Sequence, residues 1–175
     1  SGGCGNTASA TAIFTATHSC GNSTSTTATF TIEDTTAPTI DTPAADQTVE
    51  CDGSGNASAL AAWLSNNGGA SASDVCSGVN WTNNYTGLSD GCGNTGAATV
   101  IFTATDSCGN STSTTATFTI EDTTSPTIDT PAADQTVECD GSGNASALAA
   151  WLSNNGGASA SDICSGVNWT NNYTG

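Results

Sequence analysis

Apolar residues alternate with threonine in two stretches of the chain. In Ala98-Thr99-Val100-Ile101-Phe102-Thr103-Ala104-Thr105, the residues Ala98, Val100, Phe102 and Ala104 share one side; in Thr115-Ala116-Thr117-Phe118-Thr119-Ile120 the set is Ala116, Phe118 and Ile120. A period of two marks a strand with one buried face. Asp106-Ser107-Cys108-Gly109-Asn110 between them has the composition of a turn, so the pair predicts a hairpin. Residues 10–32 repeat the text and predict a second one. A third strand is predicted over Val79–Thr86, with Val79, Trp81 and Tyr85 on one face and Asn80, Thr82, Asn84 and Thr86 on the other. Thr39-Ile40 and Gln47–Glu50 are candidates for the opening strand. One segment changes period: Leu60, Trp63 and Leu64 fall on one face of a helix over Ala57–Asn67, with Asn56 as cap and Gly68-Gly69 as stop. Trp63 is read as a core residue of that helix.

The same text returns at a fixed interval. Cys4, Cys20, Cys51 and Cys76 recur as Cys92, Cys108, Cys139 and Cys164, each 88 residues on, and residues 1–87 differ from 89–175 at only seven positions, His18 to Asp106 among them. A solenoid unit runs to about 20 to 50 residues, so this period suits a bead that folds by itself. Asp34-Thr35-Thr36-Ala37-Pro38-Thr39 and its copy at Asp122–Thr127 read as short linkers stiffened by proline. The expected organisation is 1–36 as the C-terminal part of a repeat, 37–124 as a complete repeat, and 125–175 as the N-terminal part of the next.

Composition narrows the function. The chain has sixteen carboxylates, no lysine and no arginine, a formal net charge of -16. Nucleic-acid binding by neutralisation of phosphate is excluded, as are ion pairs to lysine or arginine. The carboxylates need water, hydrogen-bond donors or metal ions, and repulsion between beads favours extension. The eight cysteines lack any Cys-x-x-Cys pair, and His18 becomes Asp106 in the other copy, which argues against a repeated zinc site. Disulfides in an oxidising, extracellular setting are the expected use. No apolar run is long enough to span a membrane. Abundant serine has no repeated base to activate it, so no catalytic residue is assigned and an enzyme is not expected.

Two kinds of site remain as candidates. Glu33, Asp34, Asp41 and Asp106 stand at strand ends and linkers, where carboxylates converging from neighbouring beads would suit calcium, although no segment matches an EF-hand. Asn22, Asn56, Asn80, Asn84, Asn110, Asn144, Asn168 and Asn172 each open an Asn-x-Ser/Thr triplet, the acceptor pattern for N-linked sugars. Thr35 and Thr123, in Asp-Thr-Thr triplets, are candidates for O-linked sugars.

The phrases Thr103-Ala104-Thr105-Asp106-Ser107-Cys108-Gly109-Asn110 and Phe118-Thr119-Ile120-Glu121-Asp122-Thr123-Thr124-Ser125-Pro126-Thr127 resemble hyalin-repeat and related immunoglobulin-like modules of very long bacterial surface proteins. The resemblance covers the whole repeat. It implies a mainly β chain of tandem immunoglobulin-like β-sandwiches, here with one short helix per repeat and disulfide staples. It also implies an extracellular location and scaffolding or adhesion without catalysis. Four cysteines per repeat allow three pairings; the immunoglobulin-like strand order implies Cys51 with Cys92 and Cys76 with Cys108. The leading expectation is a filament or stalk of head-to-tail repeats, and the alternative is a cell-surface adhesin or carbohydrate-binding module with glycans as partners. In the filament, neighbouring copies complete each other's half repeats, with Cys139 bonded to Cys4 and Cys164 to Cys20 of the neighbour. One continuous chain is favoured over separate strand-exchanging subunits.

Overall fold

The computed structural model describes residues 3–175. In chain order its elements are β1 (Ala8–Thr17), β2 (Ser23–Ile32), β3 (Thr39–Thr42), β4 (Gln47–Glu50), α1 (Ala57–Ser65), β5 (Ser71–Ser73), β6 (Val79–Asn83), β7 (Gly96–Asp106), β8 (Ser111–Glu121), β9 (Thr127–Thr130), α2 (Ala145–Ser153) and β10 (Ser159–Ser161). The chain is mainly β, and neither helix is long and apolar enough to cross a membrane. It divides into two compact units. The first takes in the chain up to Gln47, Leu60–Gly87 and Ala98–Phe118; the second takes in Thr48–Ala59, Leu88–Ala97 and Thr119–Gly175.

Most of the buried core residues lie in the first unit. β8 and β7 are the central strands of a four-stranded sheet ordered β4-β8-β7-β6. Their alternation buries the predicted set: Ala98, Val100, Phe102, Ala104, Ala116, Phe118 and Ile120 are all buried. Helix α1 covers this face through Trp63. Its ring meets Phe102 edge-on at 5.2 Å between centroids and Phe118 at 5.5 Å, and its indole N–H donates to the Ala45 carbonyl at 3.0 Å. Such aromatic contacts add about 0.5 to 1.5 kcal/mol each beyond area burial. The helix ends in a 3-10 turn, Asn67–Gly69, where Gly68 sits at φ 64. A Cβ on Gly68 would come within 3.1 Å of both Ala44 and the Phe102 ring, so glycine serves both the backbone and the close approach.

Three local expectations change. Thr39–Thr42 and Gln47–Glu50 are separate strands in different sheets, because β3 pairs with β5 while β4 lies beside β8. The third strand stops at Asn83, whose side chain accepts the Tyr85 backbone N–H at 3.1 Å and turns the chain. Asn56 does not cap α1 in the expected manner. It has φ 51, accepts the Asp52 N–H at 3.2 Å and donates to the Glu50 carbonyl at 2.8 Å, so it ties the preceding loop together.

The first unit also contains the hairpin β1–β2, in a regular antiparallel register from Ala8 opposite Ile32 to Thr17 opposite Ser23. Threonine hydroxyls pair across its strands, Thr11 with Thr29 at 3.0 Å, as Thr99 pairs with Thr117 in β7–β8. In the second unit, β9 pairs with β10 and α2 carries Trp151, whose N–H donates to the Ala133 carbonyl at 3.0 Å.

Candidate functional site

Two junctions join residues of successive copies, one in each unit. In the first, the loop Cys4–Thr7 is closed by the Thr7 hydroxyl on the Cys4 carbonyl at 2.6 Å, and its Asn6 N–H reaches the Cys76 carbonyl at 3.0 Å. Gly5, at φ 55, lets the two backbones meet, since a Cβ there would lie 2.6 Å from the Cys76 carbonyl oxygen. Asp74 shapes the opposing loop by accepting the Cys76 and Ser77 N–H groups at 2.8 and 3.0 Å. Cys4 is bonded to Cys108, with Cα atoms 5.0 Å apart.

The second unit repeats the interlock 88 residues on. The Asn94 N–H reaches the Cys164 carbonyl at 2.9 Å, Gly93 at φ 60 crowds that same carbonyl, and Asp162 accepts the Cys164 and Ser165 N–H groups at 2.8 and 3.0 Å. Here the bond runs from Cys51 to Cys164, with Cα atoms 6.1 Å apart. Asp52 accepts Ser54 and Asn56 N–H groups, and the Asn94 side chain donates to the Gly53 carbonyl at 3.0 Å. No known family model matches the chain, and no curated protein matches it significantly. The junctions are therefore read from their own geometry.

These bonds correct the expected pairing. Cys51 does not bond Cys92, and Cys76 does not bond Cys108; Cys20, Cys76, Cys92 and Cys139 are free thiols. The pairs Cys139–Cys4 and Cys164–Cys20 between neighbours also fall, because Cys4 and Cys164 already have partners. The physical reason is the interlock itself. The Cys92 loop docks on the Cys164 loop of the next copy, and the Cys4 loop docks in the same way on the Cys76 loop, so the covalent links run between copies. Sequence spacing alone carried no sign of this, because a fold-back within one copy satisfies the same count of cysteines. Bonds closing loops of 104 and 113 residues are each worth about 4 to 5 kcal/mol on the chain-entropy account.

Of the carboxylates considered for calcium, the fold brings Asp34 and Asp106 together beside Cys108. Glu33 and Asp41 are not in this group, and Asp41 instead accepts the Ser73 hydroxyl at 3.0 Å. Asp106 is buried at the hairpin turn and accepts the Cys108 and Asn110 N–H groups at 2.8 and 2.9 Å and the Asn110 amide at 2.8 Å. Burial works to raise its pKa, but hydrogen bonds from the Asn110 side chain and backbone, Cys108 and Gly109 outweigh it and leave the carboxyl below its usual range. Its role in the fold is to hold the turn that presents Cys108. Beside the two carboxylates, Cys108 is already committed to a disulfide, whereas calcium takes about six to eight oxygens.

The sugar-acceptor candidates separate by exposure. Asn22, Asn80, Asn84, Asn168, Asn172 and Thr35 are exposed. Asn56 is buried and Asn110 and Asn144 are half-buried, with their amides donating to Glu50, Asp34 and Glu138 carbonyls respectively. Thr123 donates its hydroxyl to Glu50 at 2.8 Å. The Thr123 N–H, then the Thr123 and Thr124 hydroxyls, hold the Glu50 carboxyl below its usual range.

Proposed function

We propose that this chain is a structural subunit or segment of an extracellular filament or stalk built from head-to-tail immunoglobulin-like repeats. One observation carries the reading: the chain bears two open faces whose copies pack on each other in the full repeat. Phe14, Phe30 and Ile32 on β1–β2 are exposed, whereas their copies Phe102, Phe118 and Ile120 are buried, the two phenylalanines against Trp63 of α1. At the other face, Gln135, Val137, Asn144, Ala147, Leu148 and Trp151 line an open groove of about 190 Å³. Their copies include Val49, Leu60 and Trp63, and Trp63 covers Phe102 and Phe118. The α2 groove of one copy is thus the natural seat for the β1–β2 hairpin of another. An open head-to-tail contact of this kind propagates into a fibre.

The immunoglobulin-like assignment draws support from strand order. β6, β7 and β8 lie side by side as the C, F and G strands do in that fold, and β3 pairs with β5 in a separate small sheet. The extracellular assignment draws support from disulfides within a small repeat. A carbohydrate-binding surface calls for exposed aromatics on the full copy, but Trp63 is buried and Trp81 and Tyr85 are half-buried. The role is scaffolding without catalysis. Sedimentation velocity at rising concentration, with electron microscopy, tests it: the chain grows into fibres, and Phe30→Asp, at an exposed position, stays folded but single. A wild-type chain that remains at 17.1 kDa throughout overturns the complementarity of the two faces on which the reading rests.

A further inference from the structure

We propose that the two junctions are partial views of one complete junction stapled by two disulfides, in which Cys92 and Cys139 pair with the equivalents of Cys20 and Cys76 in the repeats that follow, whether these lie on the same polypeptide or on another copy of this chain. This rests on the head-to-tail reading above and adds to it the bonds and their partners.

The two junctions share a common part. Asn6 on the Cys76 carbonyl and Asn94 on the Cys164 carbonyl are the same contact, displaced by 88 residues on both sides. Around it the contents differ. The first junction has the hairpin turn carrying Cys108, bonded to Cys4, while its Cys76 is free. The second has the Cys51 loop, bonded to Cys164, while its Cys92 is free. Cys164 is the copy of Cys76, and Cys92 is the copy of Cys4. Each thiol that is free in one junction is therefore bonded at the equivalent position in the other. Laid over one another, the junctions contain four cysteines and two disulfides, with no thiol left.

The rule extends by counting. The bonds span 104 and 113 residues, both longer than the period of 88, so each ties one copy to the next. Moving 104 residues on from Cys92 and then back two periods lands on Cys20; moving 113 on from Cys139 and back two periods lands on Cys76. All four free thiols are consumed, and each is used once. Each bond takes two thiols, releases two protons and passes two electrons to a small-molecule disulfide, which leaves as two thiols by exchange. The thread of bonds then runs unbroken from copy to copy.

The 175-residue chain is oxidised with glutathione disulfide and run on denaturing gels with and without reductant. Peptides are mapped after cleavage at acidic residues, since there is no lysine or arginine for trypsin. The expected result is a ladder that collapses to 17.1 kDa on reduction, with Cys92–Cys20 and Cys139–Cys76 peptides. C92S/C139S and C20S/C76S, altered only at free thiols, each stay single, and an equimolar mixture stops at a linked pair. Covalent ladders from either variant alone, or Cys20 mapped to Cys139, overturn the pairing. Fibres whose four thiols stay free under oxidation overturn the staple while the filament reading stands. A chain that neither assembles nor cross-links removes both.

Discussion

The hairpins β1–β2 and β7–β8 carry nearly the same residues, yet Phe102 and Phe118 have no exposed surface while Phe14 and Phe30 are 60% and 71% exposed. Both are antiparallel hairpins that pair the same threonines, Thr11 with Thr29 and Thr99 with Thr117 at 3.0 Å, so hairpin formation is local. What differs is the cover. β7–β8 has Trp63 and the flanking strands β4 and β6; β1–β2 pairs only with itself. Ile13 is exposed as well, but for a different reason. Its copy Ile101 is exposed in the covered hairpin too, so Ile13 belongs to the outer face, whereas Phe14, Phe30 and Ile32 are copies of the buried Phe102, Phe118 and Ile120. A folded hairpin and a finished core are separate achievements, and the second needs residues from elsewhere.

The sharpest way to break this comparison is to truncate one phenylalanine in each hairpin. Phe118→Ala should cost about 3 to 5 kcal/mol in urea unfolding, the usual range for a buried aromatic. Phe30→Ala in the dilute single chain should leave unfolding nearly unchanged and weaken self-association instead. Equal losses from both would mean that β1–β2 is already covered in solution. Opening the first junction with Cys4→Ser should lower stability by about 2 to 5 kcal/mol, whereas Cys20→Ser, at a free thiol, should have no effect on the single chain.

A smaller effect is expected where the hairpins differ in sequence. Asp106→His copies the β1–β2 turn into β7–β8: a histidine Nδ1 there can still accept the Cys108 N–H, as His18 accepts that of Cys20 at 2.9 Å, but the bonds from the Asn110 backbone and amide are lost. It should lower the Tm by less than the loss of a disulfide, and His18→Asp should change little at that exposed turn. The pH dependence is smaller again. Asp106 and Asp52, the latter lowered chiefly by the Asn56 and Ser54 N–H groups, both have depressed folded pKa values. Their stabilisation is full above the ordinary carboxylate pKa and is lost as pH falls from there through the depressed folded values. Melting scans from neutral to strongly acidic pH should show this loss, and Asp52→Asn should flatten it. Finally, partial burial, then the carboxylates of Asp34, Asp74 and Asp106, push the Cys76 thiol above its usual range. Its alkylation should need higher pH than that of free cysteine, and Asp34→Asn should bring the midpoint down.

The strongly periodic elements were legible in the chain: the alternation Ala98, Val100, Phe102, Ala104 and Ala116, Phe118, Ile120 marks the buried faces that β7 and β8 possess. β5 was not, because Ser71-Ala72-Ser73 has no apolar pattern and exists as a strand only through its pairing with β3. Identical text takes different forms in the two copies. Gln47–Glu50 and Val79–Asn83 are strands, laid beside β8 and β7, whereas Gln135–Glu138 and Val167–Asn171 are not. The junctions follow the same logic. Cysteine positions, turn residues and strand periods are properties of the chain read alone, because each depends on a few neighbouring residues. Which cysteine meets which, and which apolar face is covered, were decided only by the tertiary structure, because the loops that share backbone contacts and the cysteines that bond, the latter more than one period apart, are brought together by no local pattern.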